Sequence, residues 1–266
     1  MQVLVGADPE LFVRDQNGIF ISGHNLCPGT KEEPFKVDRG AIQVDGTALE
    51  FNIDPSSSAD EFVLNIGTVR SILATYVPNL SIVAEPVAEF TPEVFAAIPD
   101  DAKMLGCNPD FNAWEGRMND PPDGEHPFRT ASGHVHIGWG EGFDPEDRQH
   151  FNDCCIVARQ LDYYLGIYTL LWDPDPRRRQ MYGKAGAFRP KPYGMEYRVP
   201  SNVWLKSESL QRFVYEACIN AVSALYAGER VEDLHGDLAR TIIDNNITDW
   251  PTTYPELYKA QVPLAA

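Results

Sequence analysis

Apolar and polar residues alternate with a period of two through much of the first fifty residues, and the period lengthens to a helical one farther on. Val3-Leu4-Val5 and the residues up to Val13 read as strand, ending at Asp15-Gln16-Asn17-Gly18, a hairpin signal ahead of Ile19-Phe20-Ile21. Residues 41–44 and 47–53 read as two strands about an Asp45-Gly46 turn. Ser58 and Glu61 fit a capping box, and Phe62, Ile66, Val69, Ile72 and Leu73 form the apolar stripe of a helix ending near Pro78. Strands are predicted over 80–87 and 131–139. Asp144-Pro145-Glu146-Asp147 predicts a helix start, with proline in the first turn and acids complementing the dipole, and the helix runs to about Leu171. The following stretch reads as irregular until a strand over 196–199, and a last well-formed helix spans 208–226, stopped at Gly228. One short helix and a closing segment are expected in the tail. Residues 106–130 form a long polar loop, with Asn108, Asp110, Trp114 and Arg117 as the groups it offers for recognition. Hairpins interrupted by long helices predict a single α+β domain over 1–266, an antiparallel sheet backed by helices.

Composition narrows the class. The 266 residues are 43% hydrophobic, enough for a packed core, which excludes wholesale disorder. No apolar run of about eighteen residues occurs, so no transmembrane helix is expected. The opening segment is too short and too early in charge for a secretory signal. Five cysteines without C-x-x-C spacing speak for a reducing compartment and against a disulfide framework or structural zinc. A soluble cytoplasmic protein is expected. The net charge of −17 disfavours nucleic-acid and anionic-membrane partners. That charge is uneven: between Asp173 and Lys206 eight basic residues face three acids, a net +5 that leaves −22 for the rest. Such an island is either a solvated face or a docking place for phosphate or carboxylate, to which arginine forks are suited.

Strand geometry puts residues i and i+2 on one side. Asp8 and Glu10, Glu50 and Asn52, His134 and His136, and Glu196 and Arg198 make four such pairs. Their neighbours Leu49, Phe51, Val135, Ile137, Tyr197 and Val199 point the other way. An ordinary wet face explains any one pair. Taken jointly the face offers carboxylates and imidazoles instead of Lys, Thr, Ser and Gln, and that is the inventory of a divalent-metal site. Asp8 and Glu10 would repel unless a cation sat between them. His134 and His136 read equally as metal ligands or as paired rings in a sheet. Asp45 reads first as a turn residue. Glu196-x-Arg198 is either an exposed ion pair, worth about 0–1 kcal/mol, or a phosphate-binding arginine beside a carboxylate.

Four motifs in this order form a recognisable pattern: Gly6-Ala7-Asp8-Pro9-Glu10, then Asp45-Gly46-Thr47-Ala48-Leu49-Glu50-Phe51-Asn52, then Ser132-Gly133-His134-Val135-His136-Ile137-Gly138, and finally residues 182–198 ending in Gly194-Met195-Glu196-Tyr197-Arg198. The set, within residues 6–204, resembles the amidoligases of the glutamine synthetase-like fold, and most closely the phage-associated COOH–NH2 ligase family, type 2. The tail over 207–266 carries no signature. The resemblance implies a curved antiparallel sheet whose concave face is catalytic and whose back carries helices. It implies ATP- and Mg²⁺-dependent amide or peptide bond synthesis through an acyl phosphate, with two metal ions and Mn²⁺ as the alternative metal.

By that resemblance Asp8, Glu10, Glu50, His136 and Glu196 would hold metal, and Arg198, Glu196 and Arg189 would be catalytic. Lys184, Arg177, Arg179 and His134 would bind the nucleotide, with Arg178 as a further helper. Small-molecule or peptide carboxylates and amines would be the substrates, and the host cytoplasm the location if the chain is phage-encoded. Two other classes compete: a metal-dependent hydrolase using His134, His136 and the carboxylates, and a non-catalytic binding module on the same fold. Substrate identity and oligomeric state have no signature in the sequence.

Overall fold

The computed structural model describes residues 2–103, 110–120 and 128–259. Among them the alternating segments form β1 (Leu4–Ala7), β2 (Glu10–Arg14), β3 (Phe20–Ile21), β4 (Phe35–Val37), β5 (Gly40–Asp45), β6 (Ala48–Ile53), β7 (Ser81–Val83), β8 (Val87–Glu89), β9 (Phe111–Asn112), β10 (Arg117–Met118), β11 (Phe128–Thr130), β12 (Val135–Gly138), β13 (Ala187–Lys191) and β14 (Gly194–Tyr197). One antiparallel sheet runs in the order β1-β12-β14-β13-β9-β10. A second runs β3-β2-β6-β5-β4, with β7 also paired to β2, and β8 and β11 form a separate ribbon.

The two large sheets share one stretch of chain. β1 pairs in the first and β2 in the second, and the residues between them stay hydrogen-bonded: Asp8 N donates to His134 O at 3.3 Å and Glu10 N to Ser132 O at 2.9 Å. The result is an α+β fold with a curled, partly barrel-like antiparallel sheet backed by helices.

The i, i+2 parity holds through both sheets. Leu49, Phe51, Val135, Ile137, Tyr197 and Val199 are all buried, in one cluster with Phe62 and Ile66 of the helix Ala59–Tyr76, Leu161 of Arg148–Leu161 and Val214 of Glu208–Tyr226. Each large apolar side chain so buried contributes roughly 1.5–3 kcal/mol. Ser58 caps the first helix by accepting from Glu61 N at 3.2 Å, while the Glu61 carboxylate reaches back to Ser57 N at 2.7 Å.

Some elements differ from the sequence expectation. The helix predicted from 144 begins at Arg148, because Asp147 is the residue whose side chain accepts from His150 N. That helix passes through a π turn, Asp162–Gly166, before ending as Ile167–Trp172. The strand expected over 80–87 divides into β7 and β8. The stretch after Asp173 is not irregular: it holds the helix Arg177–Met181 and the β13–β14 hairpin. Pro190 sits within β13 because that strand's other edge pairs with β9 only at Ala187 and Phe188, so no ladder donor is needed there. The tail folds into four short helices, Glu232–His235, Leu238–Asp244, Trp250–Thr253 and Pro255–Lys259. Part of the 106–130 loop, with Cys107 and Asn108, lies outside the described residues; its described part supplies β9, β10 and β11. Cys27, Cys154, Cys155 and Cys218 are free thiols.

Arg178 ties the site-bearing strands together from below. It is 1% exposed and donates to Val199 O at 2.6 Å, Arg198 O at 3.0 Å and Ser132 Oγ at 3.1 Å. Gly183, at φ +73°, makes room for it, since a Cβ there would lie 2.2 Å from Arg178 Nη1. Replacing Arg178 with Met strands three acceptors, and a loss of about 3 kcal/mol in urea unfolding is expected. A loss below about 0.5 kcal/mol, typical of a surface substitution, would show that these bonds do not matter.

Candidate active site

Register brings the chemistry together. Gly6, His136, Glu196 and Arg189 stand opposite one another across β1, β12, β14 and β13. One step along, Asp8 lies beside His134, and Arg198 continues β14. In the second sheet Glu10 is opposite Glu50, which is opposite Gln43. Asp8, Gln43, Glu50, His136, Arg189 and Lys191 line a cavity of about 750 Å³, walled on its apolar side by Ile53 and Trp139.

Glu196 is the centre. It is 1% exposed and touches Arg198 Nη1, with Lys191 Nζ at 2.8 Å, Arg189 Nη1 at 3.3 Å and His134 Nδ1 at 3.3 Å. Burial opposes its ionisation, but Arg198, the two histidines and Lys191 hold it well below the usual carboxylate range. Asp8 is likewise kept ionised against burial by His136 and His134, while the Glu196 charge works the other way. His136 is raised: burial disfavours its cation, yet Asp8 and Glu196 favour it more. His134 goes the opposite way, to about 4, through burial and the Arg198 charge.

For the second-sheet carboxylates burial and mutual repulsion win, even though Arg178 and Arg198 act on Glu10. Burial, with Asp45 adding repulsion, pushes Glu10 up to about 7 although Ser132 N donates to it at 2.8 Å. Glu50 is raised well above normal by burial and by Asp8, Glu10 and Asp45, with Gln43 Nε2 donating to it at 3.0 Å. Asp45, read first as a turn residue, ends β5 and so adds its charge to this group.

These residues fit a divalent cation. Ligand atoms of Asp8, His136 and Glu196 all lie within 4.8 Å of one another. Asp8 Oδ1 and His136 Nε2 are buried and face each other at 3.0 Å, an ion pair while His136 holds its proton and two electron-pair donors once that proton is lost. The Tyr193 hydroxyl contacts His136 Nδ1; when Nδ1 donates to it, Nε2 presents its lone pair toward Asp8. Of the two histidines it is His136 that shares the group of ligand atoms, while His134 Nδ1 lies 3.3 Å from Glu196, 3.4 Å from Arg198 Nη1 and 3.5 Å from Asp8.

The other basic residues named from the sequence are not brought here. Arg177 pairs with Asp175 and Glu89 at the surface. Arg179 is buried against Asp173 O, Asp175 O and the Asn246 side chain. Lys184 is exposed in a different, polar cavity with Arg117, Arg240 and Asp244. Sequence reasoning gave no site role to Lys191, Tyr193 or Gln43. Lys191 and Arg189 share the i, i+2 signal of the other pairs, and recognising β13 as a strand would have found it.

The curled sheet thus gathers carboxylates, imidazoles and arginines at one place, a group that could hold a metal ion. Residues 128–231 match the family model described as Phage phiEco32-like COOH.NH2 ligase-type 2, the family that the ordered motifs resemble. The match takes in His134, His136, Arg189, Glu196 and Arg198 and leaves Asp8, Glu10 and Glu50 outside it; it supports a ligase-type catalytic role in general. No curated protein matches the chain. No helix among the described residues is long and apolar enough to cross a membrane.

Cation binding here competes with protons. Glu10 at about 7 and the raised Glu50 and His136 hold protons that a cation must displace. In the metal-free protein the protonated Glu10 contributes stability that is complete below its ordinary range and is lost as pH rises through about 7. The rise in unfolding temperature on adding Mn²⁺ is therefore expected to be larger at about pH 8 than at about pH 6. A cation effect independent of pH, or one that survives in Asp8→Asn combined with Glu50→Gln, would count against this site.

Proposed function

We propose that the protein is an ATP- and Mg²⁺-dependent carboxylate–amine ligase that forms an amide or peptide bond through an acyl phosphate. The observation that carries this reading is the meeting in one cavity of an acidic half (Asp8 and Glu50, with Glu10 opposite Glu50 in the sheet) and a cationic half (Arg189 and Lys191, with Arg198 beside them on Glu196). Neither half alone suits phosphoryl transfer from a nucleotide; together they suit its metal ions and its phosphates.

In this reading a substrate carboxylate oxygen attacks the γ-phosphorus of ATP, and the bond to the β–γ bridging oxygen breaks, releasing ADP. An amine nitrogen then attacks the acyl carbon, phosphate departs with the bonding pair, and the nitrogen loses a proton. Arg198, Arg189 and Lys191 hold the equatorial oxygens of the transferring group, and Glu196 fixes those three cations in place. Asp8, His136 and Glu196 would hold one divalent ion and Glu10 with Glu50 a second. Bound Mg²⁺ neutralises phosphate charge and orients the phosphate chain. Arg177, Arg179 and Lys184 have no part in this scheme. The substrates are small-molecule or peptide carboxylates and amines, and the free thiols fit the reducing cytoplasm, that of the host for a phage-encoded chain.

The hydrolase reading needs both imidazoles on one metal. His134 Nδ1, though 3.5 Å from Asp8 and 3.3 Å from Glu196, is also 3.4 Å from the Arg198 Nη1 cation, and of the two histidines the grouped ligand atoms include His136. The decisive assay is ADP release from Mg²⁺-ATP in the presence of a panel of amino acids and peptides. Glu196→Gln and Arg198→Lys are expected to lower it by about 10²–10³-fold while the circular dichroism spectrum is unchanged. ATP-independent hydrolysis, or full ADP release by either variant, would overturn the assignment.

A further inference from the structure

Arg198 does its work only if its guanidinium plane is aimed, and Glu196 touches it at one nitrogen, Nη1. A planar fork held at one nitrogen pivots about that contact; a second acceptor on a different nitrogen fixes the plane. That second acceptor is Asp110, whose Oδ2 receives Arg198 Nε at 3.0 Å.

Asp110 is itself gripped. Its other oxygen accepts from Asn119 Nδ2 at 3.0 Å, and its carbonyl accepts from Asn119 N at 2.9 Å, so the two residues close the open end of the β9–β10 hairpin. At the turn of the hairpin Asn112 Oδ1 accepts from Trp114 N and Glu115 N at 2.9 and 3.1 Å. Trp114 Nε1 then donates to Asp162 Oδ2 at 2.6 Å, and Tyr197 OH donates to Asp162 Oδ1 at 2.6 Å.

Asp162 is fully buried and lies in the π turn, a helix irregularity that recurs at functional sites. Gly166 in the same turn leaves space for the tyrosine, since a Cβ there would come within 2.6 Å of Tyr197 OH. Tyr197 and Arg198 are consecutive and point to opposite faces. The hairpin therefore clasps the end of β14 on both sides: Asp110 on Arg198 in front, Trp114 through Asp162 on Tyr197 behind.

We infer that Asp110 is a positioning residue for Arg198, carried by a hairpin that Asp162 anchors to the back of the sheet. The kinetic part of this inference rests on the ligase reading; the geometric part does not. Neither Asp110 nor Asp162 lies on the strands that carry the metal and phosphate groups.

The test uses the full chain with Asp110→Ala and Asp110→Asn, the latter keeping an oxygen that can accept from Nε. The ¹⁵N resonance of Arg198 Nε–H, identified by its loss in Arg198→Lys, reports the contact without any turnover. Its exchange with solvent is expected to be slow in the wild type and in Asp110→Asn, and at least about tenfold faster in Asp110→Ala. In ADP release, Asp110→Ala is expected to lower kcat by about 10²-fold with the KM for ATP unchanged, and Asp110→Asn to restore most of it. Trp114→Phe, which removes the indole N–H donor together with part of the ring, is expected to lower kcat in the same sense. Unchanged Nε–H exchange in Asp110→Ala overturns the inference whatever the activity. Absence of ADP release in the wild type overturns the ligase reading and leaves the exchange measurement to decide the role of Asp110. A fall in KM-specific terms alone, or no rescue by Asp110→Asn, also counts against positioning.

Discussion

A carboxylate kept ionised almost out of reach of water is the constraint to which the rest of the molecule answers. Removing one such charge from water costs several kcal/mol, and only close partners of opposite sign offset it. Glu196 has Arg198, Arg189, Lys191 and His134 around it, and no short segment of chain could supply all four. The three cations come from β13 and from the residue that follows β14, and the His134 ring from the residue ahead of β12, so these strands must be paired before the charge is tolerable. Folding and assembly of the cationic half are in this sense one event.

The acidic half obeys the opposite rule. Glu10 and Glu50 face each other in register, and both carboxyls are pushed toward the neutral form. Ionising both is costly unless a positive ion is supplied, and the pair could receive one from outside. The basic window is divided just as sharply. Arg178 and Arg179 are spent on backbone carbonyls and Arg177 on surface acids, whereas Arg189 and Lys191 reach the cavity and Arg198 joins them on Glu196. Net charge along a stretch of sequence says little about which of its members share a site.

What could be read from the sequence was local. The side on which Asp8, Glu10, Glu50, His136 and Glu196 lie follows from strand parity, and that parity needs no knowledge of neighbours. The capping of the helix Ala59–Tyr76 and the hairpins at Asn17-Gly18 and Asp45-Gly46 are equally local. Convergence was not legible, because it depends on register between strands more than a hundred residues apart, as with Gly6 opposite His136. β13 was hidden by Pro190 and by its charged residues, and with it went the role of Lys191. That His136 and not His134 joins the ligand group depends on ångström-scale packing, since both rings approach Asp8, at 3.0 and 3.5 Å. Asp110 stood out only as one polar group in a long loop, since its contact with Arg198 spans 88 positions.

The shared stretch from β1 to β2 has a geometric consequence. Asp8 and Glu10 stand on either side of Pro9 in a single extended segment, so their backbones are separated by roughly 7 Å, two strand steps. Both sheets hang from that segment, one through His134 O and the other through the β2–β6 pairing. The backbone interval between the two acids is therefore set by covalent geometry within one chain segment, whatever the register of the strands on either side.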